Sequence, residues 1–193
     1  MWLPHHHPSQ MTEKEIKTEV VLKINQGVSK IDIYDQLKDS CDDDTLRKII
    51  ASRPTFEQRK AFKTVQFLTS TIWGFFVCLE LLRTLDLLTN FDFKHLISIV
   101  GTIYITIHIW KFDGRFLLPG IIWFFLTIIN SFRELLNTSE FDPDIELLTN
   151  LTFIYTAILL IGIYLMYYLR KNVFDYYQWF QPELNEVNER KFE

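Results

Sequence analysis

The sequence predicts an all-α fold: an integral membrane bundle of four transmembrane helices, preceded by a small helical N-terminal cytoplasmic segment. Three observations predict it. Charge is segregated, since residues 1–63 hold 21 of the 44 charged groups and the longer stretch 64–136 holds 10. A bilayer imposes such separation, because a charge at its centre costs about 2.5–3.5 kcal/mol. Four apolar runs approach or reach the ~20 residues that a helix needs to cross roughly 30 Å of hydrocarbon. The basic clusters fall at alternate ends of those runs, as an even number of crossings requires.

Residues 1–11 read as an extension. MWLPHHHPSQ carries three consecutive histidines, His5 to His7, and Met11 opens a conventional helical sequence. A metal on these histidines is the less economical reading, and no metal or cofactor is expected. No apolar signal-peptide core is present, so insertion would be led by the first span.

Residues 12–63 read as short helices forming a cytoplasmic segment. Ile16, Val20 and Ile24 repeat at i, i+4, i+8, and Gly27 ends that helix. Ser29 begins a second, with Ile33, Tyr34 and Leu37 on its apolar side. Asp42-Asp43-Asp44 lacks the alternating ligands, central glycine and terminal glutamate of a calcium loop. It reads as the start of a third helix, where carboxylates meet the positive dipole end. Arg53-Pro54 breaks that helix. The segment Ile49-Ile50-Ala51-Ser52-Arg53-Pro54 is distinctive but suggests no mechanism. Thr55-Phe56-Glu57-Gln58 matches a capping box, and the helix it opens is expected to continue into the first span. About fifty residues make a thin core, so the segment should lean on the membrane, the C-terminal tail or another subunit.

The transmembrane domain is placed at 64–171, with spans at about 65–88, 95–112, 116–136 and 147–169. The first is uncharged from Thr64 to Leu79, then carries Glu80, Arg83 and Asp86. In the second, the alternation Ile103 to Ile109 resembles a strand. A helix is preferred, because an open strand in lipid leaves backbone groups unsatisfied. The third contains Ile121-Ile122-Trp123-Phe124-Phe125-Leu126, with no polar face, which argues against a soluble bundle. Pro119-Gly120 near its start would bend it or admit a neighbour. The fourth, 147–169, has no charge.

Arg53, Arg59, Lys60 and Lys63 precede the first span, Lys111 and Arg115 follow the second, and Arg170 and Lys171 follow the fourth. Residues 137–146 contain Glu140, Asp142, Asp144 and Glu146 and no base. Basic loops stay inside, so both termini are expected in the cytoplasm and the location is the plasma membrane. Asn137-Thr138-Ser139 and Asn150-Leu151-Thr152 match glycosylation acceptors and would face outward. Cys41 and Cys78 would lie in different compartments and not pair. Cys78 reads as a small packing residue.

Residues 172–193 read as an interfacial aromatic segment and tail. Tyr176, Tyr177 and Trp179 suit the headgroup region, and the stretch after Pro182 should be mobile.

Ionisable residues within spans point to function. Glu80, Arg83, Arg133 and Glu134 form the candidate intramembrane polar cluster, between the first and third spans, with a Glu80–Arg133 pair as its centre. One reading is an ion path or small-molecule site; the plainer one is charges that snorkel or pair near helix ends. His108 reads as interfacial. No nucleotide-binding glycine loop, zinc pattern or catalytic Ser or Cys motif is present. Net charge of −4 gives no reason for nucleic acid as a partner. The expected role is therefore non-enzymatic, acting in the lipid bilayer by association as a homo-oligomer or with a membrane partner protein. The alternative is a small transporter or channel subunit.

Overall fold

The computed structural model describes residues 11–86, 93–138 and 143–193. Among them every regular element is helical. The chain divides into two compact units, Phe62–Asn172 and Met1–Ala61 with Val173–Glu193.

The first unit contains four long helices: α5 (Lys63–Asp86), α6 (Phe93–Trp110), α7 (Leu117–Asn137) and α8 (Ile145–Val173). Residues 103–109 are helical, as expected, despite their alternating pattern. A short 3-10 turn, Gly114–Phe116, joins α6 to α7. Cross-helix contacts fix the arrangement. Gln66, near the start of α5, donates from Nε2 to the Ile109 carbonyl near the end of α6. Thus α6 runs back along nearly the whole of α5. Trp123 Nε1 donates to Thr102 Oγ1 at 3.1 Å, setting α7 antiparallel to α6. Trp73 Nε1 lies 3.3 Å from the Met166 sulfur, joining α5 to α8.

The bundle core is aromatic at its middle and small around it. Trp73 stacks on Phe124 with ring centroids 4.3 Å apart, and Phe76 meets both rings edge-on. Gly120 and Gly162 admit these groups: a Cβ at Gly162 would sit 2.6 Å from the Phe124 ring. Other inward positions are Thr69, Ser70, Thr102, Thr106, Thr152 and Thr156, all buried. Hydroxyls there bond to their own helix, as Thr69 to the Val65 carbonyl at 2.8 Å and Thr106 to that of Thr102 at 2.7 Å. Outward positions are instead large and apolar. Phe67, Val100, Ile129, Ile154 and Ile161 are each more than half exposed. A water-soluble bundle places these two classes the other way round. Cys78, expected to pack, is exposed.

Three helices are long and apolar enough to cross a membrane: Lys63–Leu82, Gly114–Asn137 and Ile145–Val173. The apolar part of α6, Leu96–Trp110, is shorter.

The second unit is built from α1 (Glu13–Asn25), α2 (Lys30–Leu37), α3 (Asp43–Ala51) and α4 (Phe56–Ala61). Each begins at a side-chain cap, which satisfies backbone donors that the helix leaves free. Thr12 and Glu15 form a capping box at α1, and Thr55 and Gln58 exchange bonds of 3.2 and 2.9 Å at α4. Ser29 and Asp42 cap α2 and α3. Gly27 (φ +81°) ends the turn after α1 in the left-handed region that favours glycine. The core is Ile16, Val20, Ile24, Ile33, Leu37, Leu46, Ile49 and Ile50.

Two expectations are corrected here. The helix from Thr55 does not run unbroken into the first span: α4 stops at Ala61, Phe62 is a turn, and α5 starts at Lys63. Phe62 turns its ring to Tyr168 of α8, centroids 6.0 Å apart. The tail is not mobile after Pro182. Phe192 stacks on Tyr34 at 5.4 Å, and Arg190 pairs with Asp44 at 2.7 Å. The thin helical core gains a cover of apolar surface from its own C-terminus, which is the physical reason for the difference.

Candidate functional site

The helix contacts of the bundle bring α5, α7 and α8 together at the level of Glu80. There they leave a cleft of about 350 Å³. Its polar lining is Glu80, Ser131, Thr152 and Tyr155, and its apolar walls include Phe75 and Ile158. Glu80 lies 17 residues beyond Lys63, roughly 25 Å along α5. Ser131 comes from α7 and the other two hydroxyls from α8, one turn apart. Three helices thus converge on one carboxylate. Phe75 is 45% exposed and Ile154 60%, so the cleft opens on the flank of the bundle.

The sequence-derived cluster is partly assembled here. Glu80 is half-buried in the cleft, beside Ser131 of α7, two residues before Arg133. Arg133 and Glu134 themselves are exposed, and no ion pair among the described residues joins Glu80 to Arg133. The physical reason is helical phase: two residues on from Ser131 is about 200° round α7. The Arg83 side chain lies outside the described residues. The role of α8 was not visible in sequence. Its signal is the spacing Thr152, Tyr155, Thr156, a hydroxyl stripe in an otherwise apolar run. Asn150-Leu151-Thr152, read as a glycosylation acceptor, lies within α8, with Leu151 and Thr152 on the cleft.

A second polar group lies at the turn between α6 and α7. Asp113 is fully buried, caps the 3-10 turn, and accepts two bonds from the Arg115 guanidinium at 2.9 and 2.7 Å. His108 Nδ1 is 3.5 Å from the same carboxylate, and its ring stacks on Phe116 at 3.9 Å. Arg115 was expected only as a loop charge. The Asp113-Gly114 pair, a turn signal, was the available clue.

In the helical unit the polar centre is Lys30, 1% exposed. Its Nζ donates to Tyr176 Oη at 2.9 Å and to the Phe192 carbonyl at 2.8 Å. Tyr176 in turn donates to the Ala51 carbonyl at 2.7 Å. Burial pulls the Lys30 ammonium down to about 8, against the opposing pull of Glu193 and Asp175. Arg47 pairs with Asp43 at 2.8 Å and Glu189 at 3.0 Å, and lies over the Tyr34 ring. These groups hold structure: they tie α2 and α3 to the tail. The distinctive Ile49–Pro54 segment owes its burial to this arrangement, because Ala51 presents its carbonyl to Tyr176.

Among the described residues no group of three or more His, Cys, Asp or Glu side chains could hold a metal ion. No family model matches the chain, and comparison with curated proteins and with solved structures found no similar protein.

Proposed function

We propose that the chain is a four-span integral membrane protein of the plasma membrane, with both termini cytoplasmic. The observation that carries this reading is the inverted distribution of the bundle, hydroxyls and glycines inward and large apolar side chains outward. Bundles in lipid associate through small and hydroxyl residues, because lipid leaves no hydrophobic drive between helices. The fourth crossing is α6. At 18 residues it is about 27 Å long, and it retraces α5 as far as Gln66. Basic residues at 60–63, 111–115 and 170–171 support the orientation. Cysteines introduced at Lys111 and Glu193, in a chain lacking Cys41 and Cys78, should react with an impermeant reagent from the cytoplasmic side. One introduced at Asp144 should react from the other side only. Labelling of all three from one side would end the reading.

Its role is association, with itself or with a membrane partner protein, and not catalysis. Trp179, Phe180, Leu184 and Val187 of the tail are each more than half exposed, although the residues around them are packed. Large apolar side chains held out in this way commonly mark a contact surface. Crosslinking in membranes should capture a second copy or a partner, and Trp179→Ser with Val187→Ser should reduce the yield severalfold. A partner-free monomer by crosslinking and by mass in detergent would count decisively against association.

A second reading, a small transporter or channel subunit, is favoured by the cleft at Glu80 between the first and third spans. Four helices are few for a transport path, so it would need oligomerisation. Unchanged flux in liposomes on Glu80→Gln would remove it.

A further inference from the structure

We infer that the cleft between α5, α7 and α8 binds the primary ammonium group of an amphipathic amine, taken up sideways from the lipid. Its lining fits that chemistry and few others. Glu80 is the one carboxylate, and Ser131, Thr152 and Tyr155 supply hydroxyl oxygens around it. A primary ammonium has three donors and no acceptor, so a carboxylate and neighbouring hydroxyls satisfy it. The faces of Phe75 and Tyr155 add favourable quadrupoles for a cation. An anionic headgroup would meet Glu80 as a like charge in a low dielectric, where repulsion is strong. A neutral alcohol would bond the hydroxyls but leave the carboxylate without a countercharge from the ligand. Glu80 already takes part in an interaction within the chain, which the ammonium would join or displace.

The position of the opening supplies the second half of the ligand. Leu151, Ile154 and Phe75 stand at its rim, 54%, 60% and 45% exposed. On the membrane placement proposed above, these residues face acyl chains, so entry is lateral and the ligand carries a hydrocarbon tail. The volume of about 350 Å³ is near the lower end for ligand sites, about 300–1,000 Å³. It accommodates a headgroup and the start of one chain, the remainder lying in lipid. This assignment rests on the membrane placement, and on neither association nor transport.

The test uses the full chain in phosphatidylcholine nanodiscs. The probe is a photoreactive long-chain primary amine, and the comparator is its neutral N-acetyl analogue. The amine should label peptides around Phe75 and Ile154 to Ile158. Glu80→Gln should cut labelling at least tenfold, to the level the analogue shows on the unaltered protein. Ile158→Trp, which fills the cleft and keeps the carboxylate, should do the same. Equal labelling by amine and analogue would overturn the assignment, as would undiminished labelling of Glu80→Gln. Should Glu80→Gln fail to fold, Ile158→Trp decides alone, and retained labelling there overturns it. Alkaline extraction of membranes separates the two proposals. A protein that stays in the pellet but labels without selectivity loses only the amine site, whereas one that is released loses both.

Discussion

Lys30 and Tyr176, 146 residues apart in sequence, meet at 2.9 Å inside the helical unit, amine to phenol. Lys30 is 1% and Tyr176 7% exposed. Tyr176 passes the bond on to the Ala51 carbonyl at 2.7 Å, so three segments share one polar chain. Removing a partner from such a chain leaves buried groups unsatisfied, which costs about 1–3 kcal/mol. Tyr176→Phe keeps the ring and should destabilise this unit by that amount. Hydrogen exchange in α2 and α3 should accelerate, while exchange in α5 to α8 stays unchanged. Equal protection in both units of the variant would show the phenol to be dispensable.

The same pair makes the unit sensitive to alkali in two directions. Burial lowers Lys30 from 10.5 to about 8. Between those values the unfolded chain holds the proton that the folded chain releases, so stability rises with pH across that window. Burial raises Tyr176 well above 10. Past pH 10 the unfolded phenol ionises first, and stability falls as pH climbs. Protection of α2, corrected for the intrinsic pH dependence of exchange, should therefore pass through a maximum near pH 10. Lys30→Met should flatten the rising limb and leave the falling one. A monotonic profile in the unaltered protein would contradict the assignment of both groups.

How much of this was legible in sequence follows from the range of the forces involved. Helix starts are local, so Ser29, Asp42 and Thr55 could be read as caps from a few neighbouring residues. The apolar runs were equally plain, because a bilayer acts on composition over some twenty residues. The observed α5 to α8 start and end within four residues of the expected spans. What could not be read were meetings between distant segments. Lys30 in sequence is an ordinary solvated lysine, since nothing near it announces a tyrosine 146 residues away. The polar cluster was half legible for the same reason. Depth along a helix placed Glu80 and Arg133 at one level, but the rotation that turns Ser131 inward and Arg133 outward is set by packing. Thr152 and Tyr155 were passed over because a hydroxyl in a span reads as apolar filler.

Two glycines of the bundle should respond in opposite ways to the same substitution. A Cβ at Gly162 would lie 2.6 Å from one atom of the Phe124 ring and 3.2 Å from Ile72. Phe124 is clamped between Trp73 and Phe76 and cannot yield freely, so Gly162→Ala should cost about 1–3 kcal/mol. At Gly74 the nearest atom is 4.0 Å away, on Trp110. Gly74→Ala meets no clash and gains the helix propensity of alanine, up to about 1 kcal/mol. Thermal unfolding in detergent should move down for the first and hold or rise for the second. A fall for both would mean that packing around Gly74 is tighter than the contact implies.

The turn between α6 and α7 depends on a single carboxylate. Asp113 is wholly buried, caps the turn at the Arg115 amide, and accepts from two guanidinium nitrogens of Arg115. Arg115 is half-buried, so loss of its partner strands a charge that water only partly reaches. Breaking a buried pair on one side costs about 3–5 kcal/mol, and less where water has access. Asp113→Ala should therefore destabilise the bundle by roughly 2–3 kcal/mol, within the usual range for a charged hydrogen bond together with a cap. Removing both partners is milder, because no charge is left behind. Asp113→Asn with Arg115→Met should recover a substantial part of the loss, the Asn amide oxygen still capping the turn. A double variant as unstable as Asp113→Ala would assign the whole effect to the cap and none to the ion pair.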